Sequence, residues 1–161
     1  LDWKERGGGG SQGRLELSEN TLCGHISEFA VGSYKKAHFH GPGAHVIILT
    51  GVGYSLMWPQ GQPIKRYDWT PGSLVVPPGN WFHQHFNAGA EPVRYLALRW
   101  GSQKYHEMWG EGKGKVDIDV KLGGNQIEYE DEDPIVPQMF QEACDKASVK
   151  NLMERYYKRS A

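Results

Sequence analysis

The stretch AHFHGPGAHVIILTG, residues 37–51, places three histidines within eight positions, next to an apolar run. His38 and His40 alternate as residues on one face of a strand do, and His45 follows the turn-forming sequence Gly-Pro-Gly. The run VIILTG has the composition of a buried strand. Because an imidazole without a partner is costly in an apolar interior, the stretch predicts histidines that converge on a common ligand.

A second histidine pair follows in PPGNWFHQHFN, residues 77–87, where His83 and His85 again alternate. Five of the seven histidines therefore lie in two strand-like segments, which antiparallel pairing inside a barrel can bring together. Imidazole is the commonest metal ligand near neutral pH, and three or four of them make a site for Fe, Mn, Ni, Cu or Zn. His25 and His106 stand alone, and we interpret them as ordinary packed or surface residues.

Length and charge limit the classes of function. The chain has 161 residues, which is enough for one domain, and its net charge of -1 gives no reason to expect a nucleic acid or an anionic membrane surface as partner. No apolar run approaches the roughly 18 residues of a membrane span. Cys23 and Cys144 match no metal-binding spacing and are expected to be reduced thiols in a cytoplasmic protein. The first residue is not Met, which indicates a fragment, a processed protein or an edited sequence.

Three regions follow one another along the chain. Residues 1–13 contain GGGGS and are predicted to be a flexible linker, either native or engineered. Residues 14–115 begin with a succession of short strand-like runs separated by Gly, Pro and Asn turns, which predicts an all-β sandwich or barrel. Residues 116–161 are predicted to hold a solvated acidic connector, EYEDEDP at 128–134, and a tail of one or two α-helices, since apolar residues recur at helical intervals over 137–157.

The two histidine segments resemble the paired motifs of the cupin superfamily, over about residues 20–101. The positions that fit the motifs are Gly32, His38, His40, His45 and Gly51, then Gly72, Pro77, Gly79, His83 and Asn87. The resemblance implies a double-stranded β-helix, or jelly-roll, barrel with a metal held by His38, His40, His45 and His83. Counted forward from His40, His45 takes the place of the family's usual glutamate, whereas counting back from Gly51 puts that place at Ala44. Whether His83 or His85 is the ligand, and whether His45 or His85 completes the shell, stays open.

An all-histidine shell of this kind is expected to hold one divalent transition metal per chain, with Fe or Mn favoured and Ni, Cu and Zn as alternatives. Neutral ligands leave the full +2 charge on the ion, which favours an anionic or chelating substrate. His85 and Tyr95 are the predicted catalytic proton carriers. The predicted substrate-binding residues are Trp81, Phe82, Phe86, Trp58 and Arg99.

Taken with the resemblance, these residues predict a mononuclear non-haem dioxygenase that acts on a small aromatic or enolisable substrate with O2. One alternative is a non-redox metal-dependent isomerase, decarboxylase or lyase. Another is a non-catalytic cupin module that binds a small molecule. A homodimer is also expected, because the edge strands of such sandwiches need cover.

Overall fold

The structure, a computed structural model, describes residues 6–41, 43–102, 104–105 and 117–157. Across these residues the chain forms nine strands followed by two α-helices. The strands are β1 (Ser11–Glu16), β2 (Leu22–Phe29), β3 (Ser33–Tyr34), β4 (Ala44–Thr50), β5 (Gly53–Trp58), β6 (Lys65–Trp69), β7 (Leu74–Val75), β8 (Phe82–Asn87) and β9 (Val93–Trp100). The helices are α1 (Ile135–Ala147) and α2 (Glu154–Tyr157).

The strands form two antiparallel sheets, with the orders β1-β2-β9-β4-β7 and β3-β8-β5-β6. Apolar side chains from both sheets meet between them and form what we call the barrel core. Its members are Phe29, Ala44, Val46, Ile48, Met57, Trp69, Val75, Val93, Tyr95 and Ala97. The predicted all-β jelly-roll fold with a helical tail is therefore confirmed.

A second core lies on the other face of the four-stranded sheet, where the C-terminal tail covers it. Val136, Phe140 and Cys144 recur every four residues on one side of α1 and are all buried there. Among the sheet residues that they meet are Tyr34, Tyr54 and Phe86. Burial of each large apolar side chain stabilises the fold by about 1.5–3 kcal/mol. We call this layer the tail core, and it explains why the tail docks on the barrel.

The predicted helical stretch 137–157 is interrupted, which gives two helices. Ser148 takes the left-handed conformation with φ 55°, and its backbone N–H donates to the carbonyls of Asp145 and Cys144. This geometry caps α1 and turns the chain before α2 begins at Glu154.

The glycine run at 7–10 is built into the domain, so the prediction of a flexible linker at 1–13 is wrong for this part of it. Gly7, Gly8 and Gly10 are buried, and β1 already begins at Ser11. Gly8 has φ +63°, and a Cβ there would lie 2.6 Å from the carbonyl oxygen of Tyr34. The segment packs this closely against β3 because its residues carry no side chains.

The acidic run at 128–134 is anchored to the barrel, so the prediction of a solvated connector is wrong for part of it. Glu128 forms an ion pair with Lys36. The Tyr129 hydroxyl is buried and donates to the carbonyl of Tyr34 at 2.7 Å. Glu132 accepts hydrogen bonds from two buried side chains of the four-stranded sheet. The predicted boundary at 115–116 lies outside the described residues, and so does His106.

The outer face of the five-stranded sheet carries a row of exposed apolar side chains. They include Leu15, Leu22, Ile26, Leu74 and Trp100. Such a face is where a second copy of the chain would find apolar area to bury. The homodimer stays a prediction. Among the described residues, no helix is both long enough and apolar enough to cross a membrane.

Candidate metal centre

Three of the predicted ligands, His38, His40 and His83, come together at one end of the barrel. His83 lies in β8, and His38 lies in the extended segment after β3, where the two residues pair through their backbones. The ring centroids of His38 and His40 lie 4.2 and 4.8 Å from that of His83. Each ring offers one nitrogen, and the three nitrogens lie within 4.8 Å of one another. Three ligands of one ion with bonds of about 2.1 Å lie at most about 4.2 Å apart, so small ring rotations bring these nitrogens into range.

Two of these rings are oriented by the same backbone contact. Nδ1 of His38 lies 3.1 Å from the carbonyl oxygen of Lys36, and Nδ1 of His83 lies 3.1 Å from the carbonyl oxygen of Trp81. A carbonyl oxygen only accepts hydrogen bonds, so Nδ1 carries the proton in both rings. Nε2 of each ring then keeps its lone pair, which is the arrangement that a metal-binding imidazole requires.

The surroundings keep His38 and His83 neutral. Burial, followed by the positive charge of Arg6, holds the pKa of His38 well below its usual value. Burial and the neighbouring rings of His40 and His85 do the same for the pKa of His83. A neutral imidazole is the form that binds a metal ion.

His45 does not join the cluster, which corrects the prediction of a fourth ligand. It is exposed on β4, between Ala44 and Val46, whose side chains face the barrel core. Because side chains alternate along a strand, His45 points to the opposite face of the sheet. The inward position belongs to Ala44, as the count back from Gly51 allows. A count that differs by one residue exchanges the two faces of a strand.

His85 follows His83 by two residues on the same face of β8. The two ring centroids are 5.9 Å apart, and Nδ1 of His85 lies 2.8 Å from the buried hydroxyl of Ser55. That hydroxyl accepts a hydrogen bond from Trp69 Nε1 at 2.9 Å. Burial and the charge of Lys35 lower the pKa of His85 to about 3. His85 is therefore a neutral ring beside the cluster, held by Ser55.

The ring of Tyr95, the other predicted proton carrier, lies 5.4 Å from that of His85, centroid to centroid. Lys35, which is fully buried, donates a hydrogen bond to the Tyr95 hydroxyl at 3.1 Å. Burial alone would raise the pKa of Tyr95. The charge of Lys35 and the hydrogen bonds to the hydroxyl together outweigh burial, so the pKa of Tyr95 is lowered. Sequence reasoning missed Lys35, because lysine is almost never fully buried unless it is paired.

His25 is packed inside the barrel, which is one of the two places that the sequence analysis allowed for it. His25 is buried, and its ring packs edge-on against Tyr95 with centroids 6.0 Å apart. Burial, then the charges of Arg99 and Lys35, lower the pKa of His25 to about 3. The alternation of Cys23, His25 and Ser27, all buried, is the signal that could have placed it. Arg99, predicted to bind substrate, is half-buried on β9 near this ring.

Three of the predicted substrate-binding aromatics face away from the histidines. Phe82 and Phe86 alternate with His83 and His85 along β8, and together with Trp58 they belong to the tail core. Phe86 stacks on Tyr54 with ring centroids 4.5 Å apart. These residues pack the helical tail, so this part of the prediction is wrong. Trp81 packs against the barrel core next to His83.

Comparison with known proteins gives structural matches only. No protein-family model and no curated protein matches the sequence. Among solved structures, an oxalate decarboxylase from Lactobacillus farciminis in complex with formate matches with a TM-score of 0.53 at 18% identity, over 57% of this chain and 29% of that one. Recombinant oxalate oxidase in complex with glycolate matches with a TM-score of 0.53 at 17% identity, over 58% of this chain and 52% of that one.

A third match, Peruvianin-I, is described as a cysteine peptidase from Thevetia peruviana latex. It aligns with a TM-score of 0.52 at 13% identity, over 57% of this chain and 61% of that one. The matched part of the chain thus spans less than two thirds of each of these proteins, and identities this low bear on fold alone. With the two facing sheets and the histidine cluster, these matches show that the chain has the cupin jelly-roll fold.

Proposed function

We propose that this protein is a metal-dependent enzyme in which His38, His40 and His83 hold one divalent transition metal. The observation that carries the proposal is the convergence of these three rings, with their nitrogens within 4.8 Å of one another. Two of the rings are anchored through Nδ1 to backbone carbonyls, which directs Nε2 toward a shared ligand.

The donor set fits a first-row transition metal. Imidazole suits Fe, Cu, Ni and Zn, and a three-histidine set leaves coordination positions open for substrate. Fe or Mn is our first choice, because we propose chemistry with O2. Since the three rings are neutral ligands, the site retains the ion's positive charge and favours a substrate that binds through anionic oxygen atoms.

The barrel adds further positive charge near the cluster. Lys35 is buried, and its charge acts on the ring of His85, whereas Arg6 is buried in an ion pair with Asp117. The charge of Lys35 favours a substrate with a carboxylate, enolate or phenolate group. The similar structures named above were solved as complexes with formate and glycolate, which are small carboxylates. We therefore include oxalate, 2-oxo acids, catechols and diketones in the substrate class to be screened.

When bound, the metal would supply a Lewis-acidic centre at which a chelating substrate and O2 can meet, as in a dioxygenase. The chain's own groups hold and move protons beside it. Lys35 donates to the Tyr95 hydroxyl and favours the phenolate, so Tyr95 can accept a proton within the barrel. His85, held by Ser55, offers a neutral ring between Tyr95 and His83.

The first experiment is elemental analysis of protein purified without chelator, together with the His40→Ala variant and the His45→Ala control. We expect an equimolar amount of Fe or Mn in the wild type and in His45→Ala, and a large loss in His40→Ala. Wild-type protein that stays folded and cannot be loaded with any divalent ion would overturn the proposal, and a non-catalytic binding module would replace it.

Oxygen uptake separates the two enzymatic classes. With the native metal bound, we expect O2 consumption with at least one substrate of the screened class. Conversion of substrate without O2 consumption would instead identify an isomerase, decarboxylase or lyase.

A further inference from the structure

A cleft opens along the seam where edge strands of the two sheets meet. In the described residues β6 pairs with β5 and β7 pairs with β4, so β6 and β7 leave a gap between the sheets. The cleft has a volume of about 470 Å³, and its lining includes Met57, Tyr67, Trp69, Val75, Val76 and Trp81. This volume lies within the range of about 300–1,000 Å³ that is usual for small-molecule sites.

The inner wall of the cleft includes residues that neighbour the histidine cluster. Met57 lies directly opposite His83 in the register of β5 and β8, so the two side chains are neighbours on one face. Trp81 supplies the carbonyl that orients the His83 ring. Trp69 donates to the Ser55 hydroxyl that holds His85. A ligand in this cleft would therefore lie against residues that support two of the histidines.

The lining is suited to an apolar or aromatic group. It offers two indole rings, a phenol ring, a thioether and aliphatic side chains. The lining also includes Asp68, whose carboxylate forms an ion pair with Arg66. Val76 and Tyr67 lie at the solvent-exposed rim of the cleft, and each of these residues is 43% exposed.

We propose that this cleft binds the apolar or aromatic part of the ligand whose oxygen atoms are held at the histidine cluster. The placement of the oxygen atoms rests on the proposed metal site, whereas the binding of an apolar group in the cleft does not require a metal. The cleft thereby determines the specificity of the site for larger aromatic substrates over smaller ones.

The test compares two ligands that share their chelating oxygens and differ in apolar size, catechol and 2,3-dihydroxynaphthalene. Their dissociation constants are measured by tryptophan fluorescence, since Trp69 and Trp81 line the cleft, and by calorimetry, with and without Mn²⁺ or Fe²⁺. The variant Val76→Asp places a charge at the rim. The matched control is Val52→Asp, at an equally exposed valine that does not line the cleft.

We expect Val76→Asp to weaken binding of 2,3-dihydroxynaphthalene about tenfold and to leave catechol binding unchanged. Equal effects of Val76→Asp and Val52→Asp on both ligands would overturn the proposal, even if the metal strengthens binding of both. If the metal changes neither affinity but Val76→Asp still weakens the larger ligand selectively, the cleft stands and the proposed metal function fails.

Discussion

His38 and His83 exchange both of their backbone hydrogen bonds. The His38 N–H donates to the His83 carbonyl at 3.1 Å, and the His83 N–H donates to the His38 carbonyl at 2.9 Å. Their ring centroids lie 4.2 Å apart. Two candidate ligands from distant parts of the sequence are thus fixed first by backbone pairing and then by the contact of each Nδ1 with a carbonyl oxygen. These contacts fix the positions of the two rings relative to each other.

This organisation predicts the tautomer of both rings in the metal-free protein. Because each Nδ1 faces an atom that only accepts hydrogen bonds, His38 and His83 should both carry their proton on Nδ1 at neutral pH. Long-range ¹H–¹⁵N NMR spectra of histidine-labelled protein distinguish protonated from unprotonated ring nitrogens. Addition of Zn²⁺ should then shift the Nε2 resonances of these two rings and leave Nδ1 protonated.

His45 provides the control for this measurement, because it is exposed and lies outside the cluster. Its resonances should not respond to an equimolar amount of Zn²⁺. A proton found on Nε2 of His38 or His83 in the metal-free protein would contradict the orientation that the proposed function depends on.

The contact between Lys35 and Tyr95 predicts a coupled titration. Replacing Lys35 with Met removes the ammonium that favours the phenolate while keeping most of the apolar stem. The pKa of Tyr95 should then rise, because burial remains and the attraction is lost. Titration of ¹³C-labelled tyrosine by NMR measures the change. Lys36→Met is the matched control, since Lys36 pairs with Glu128, and an equal shift in both variants would contradict the assignment.

Glu132 predicts how stability depends on pH. Burial outweighs its hydrogen bonds from Tyr34 and Gln84 and raises the pKa of its carboxyl from 4.5 to about 7. Between these values the folded state binds more protons than the unfolded state, so Glu132 makes the free energy of unfolding fall as pH rises. The protonation of Glu132 contributes about 3 kcal/mol to the free energy of unfolding below about pH 4.5, and this contribution is lost as the pH rises through about 7.

Urea unfolding at a series of pH values checks this dependence. Glu132→Gln should flatten the slope between about pH 4.5 and 7, because the side chain no longer titrates. Glu130→Gln changes an exposed carboxylate in the same segment and should leave the slope as it is in the wild type. If Glu132→Gln and the wild type show the same slope, the Glu132 carboxylate is not the cause of the pH dependence of stability.

Alternation along strands allowed most of the histidine site to be predicted from the sequence. His38, His40 and His83 each belong to a His-x-His pair, and the structure brings them together, whereas the pairs alone left the choice between His83 and His85 open. His45 was misplaced because a difference of one residue in the count exchanges the two faces of a strand. No local pattern in the sequence decides between the count forward from His40 and the count back from Gly51.

The aromatic residues of β8 show a different limit. All six residues of β8 are buried, since the barrel core lies on one face and the tail core on the other. The sequence therefore lacks the polar and apolar alternation that would tell the two faces apart. The glycine run was misjudged for a related reason. Its composition is that of a linker, and only the approach of β3 shows why the side chains are absent.

The exposed row on the five-stranded sheet predicts how a homodimer would form. A lysine in place of Leu22, which is 44% exposed there, should abolish self-association, because burying a charge in an apolar interface is costly. Leu122→Lys is the control at a leucine that is 77% exposed and lies outside the five-stranded sheet. Sedimentation velocity measures the oligomeric state. Monomeric wild-type protein at micromolar concentration, or a dimer that survives Leu22→Lys, would contradict this interface.

From the close packing of the glycine run at 7–10 we expect that a single added methyl group causes a large loss of stability. Gly8→Ala places a Cβ 2.6 Å from the Tyr34 carbonyl oxygen, at a residue with φ +63°. Left-handed backbone costs an alanine about 1–2 kcal/mol, and the clash adds about 1–3 kcal/mol, because a backbone carbonyl in a paired strand moves little. Gly61→Ala is the control, with φ +73° and no neighbouring atom within 4 Å, so it carries the conformational cost alone. Urea unfolding of both variants separates the two contributions. If Gly8→Ala loses no more stability than Gly61→Ala, the run is not packed against β3, and its composition alone, that of a flexible linker, would describe it correctly.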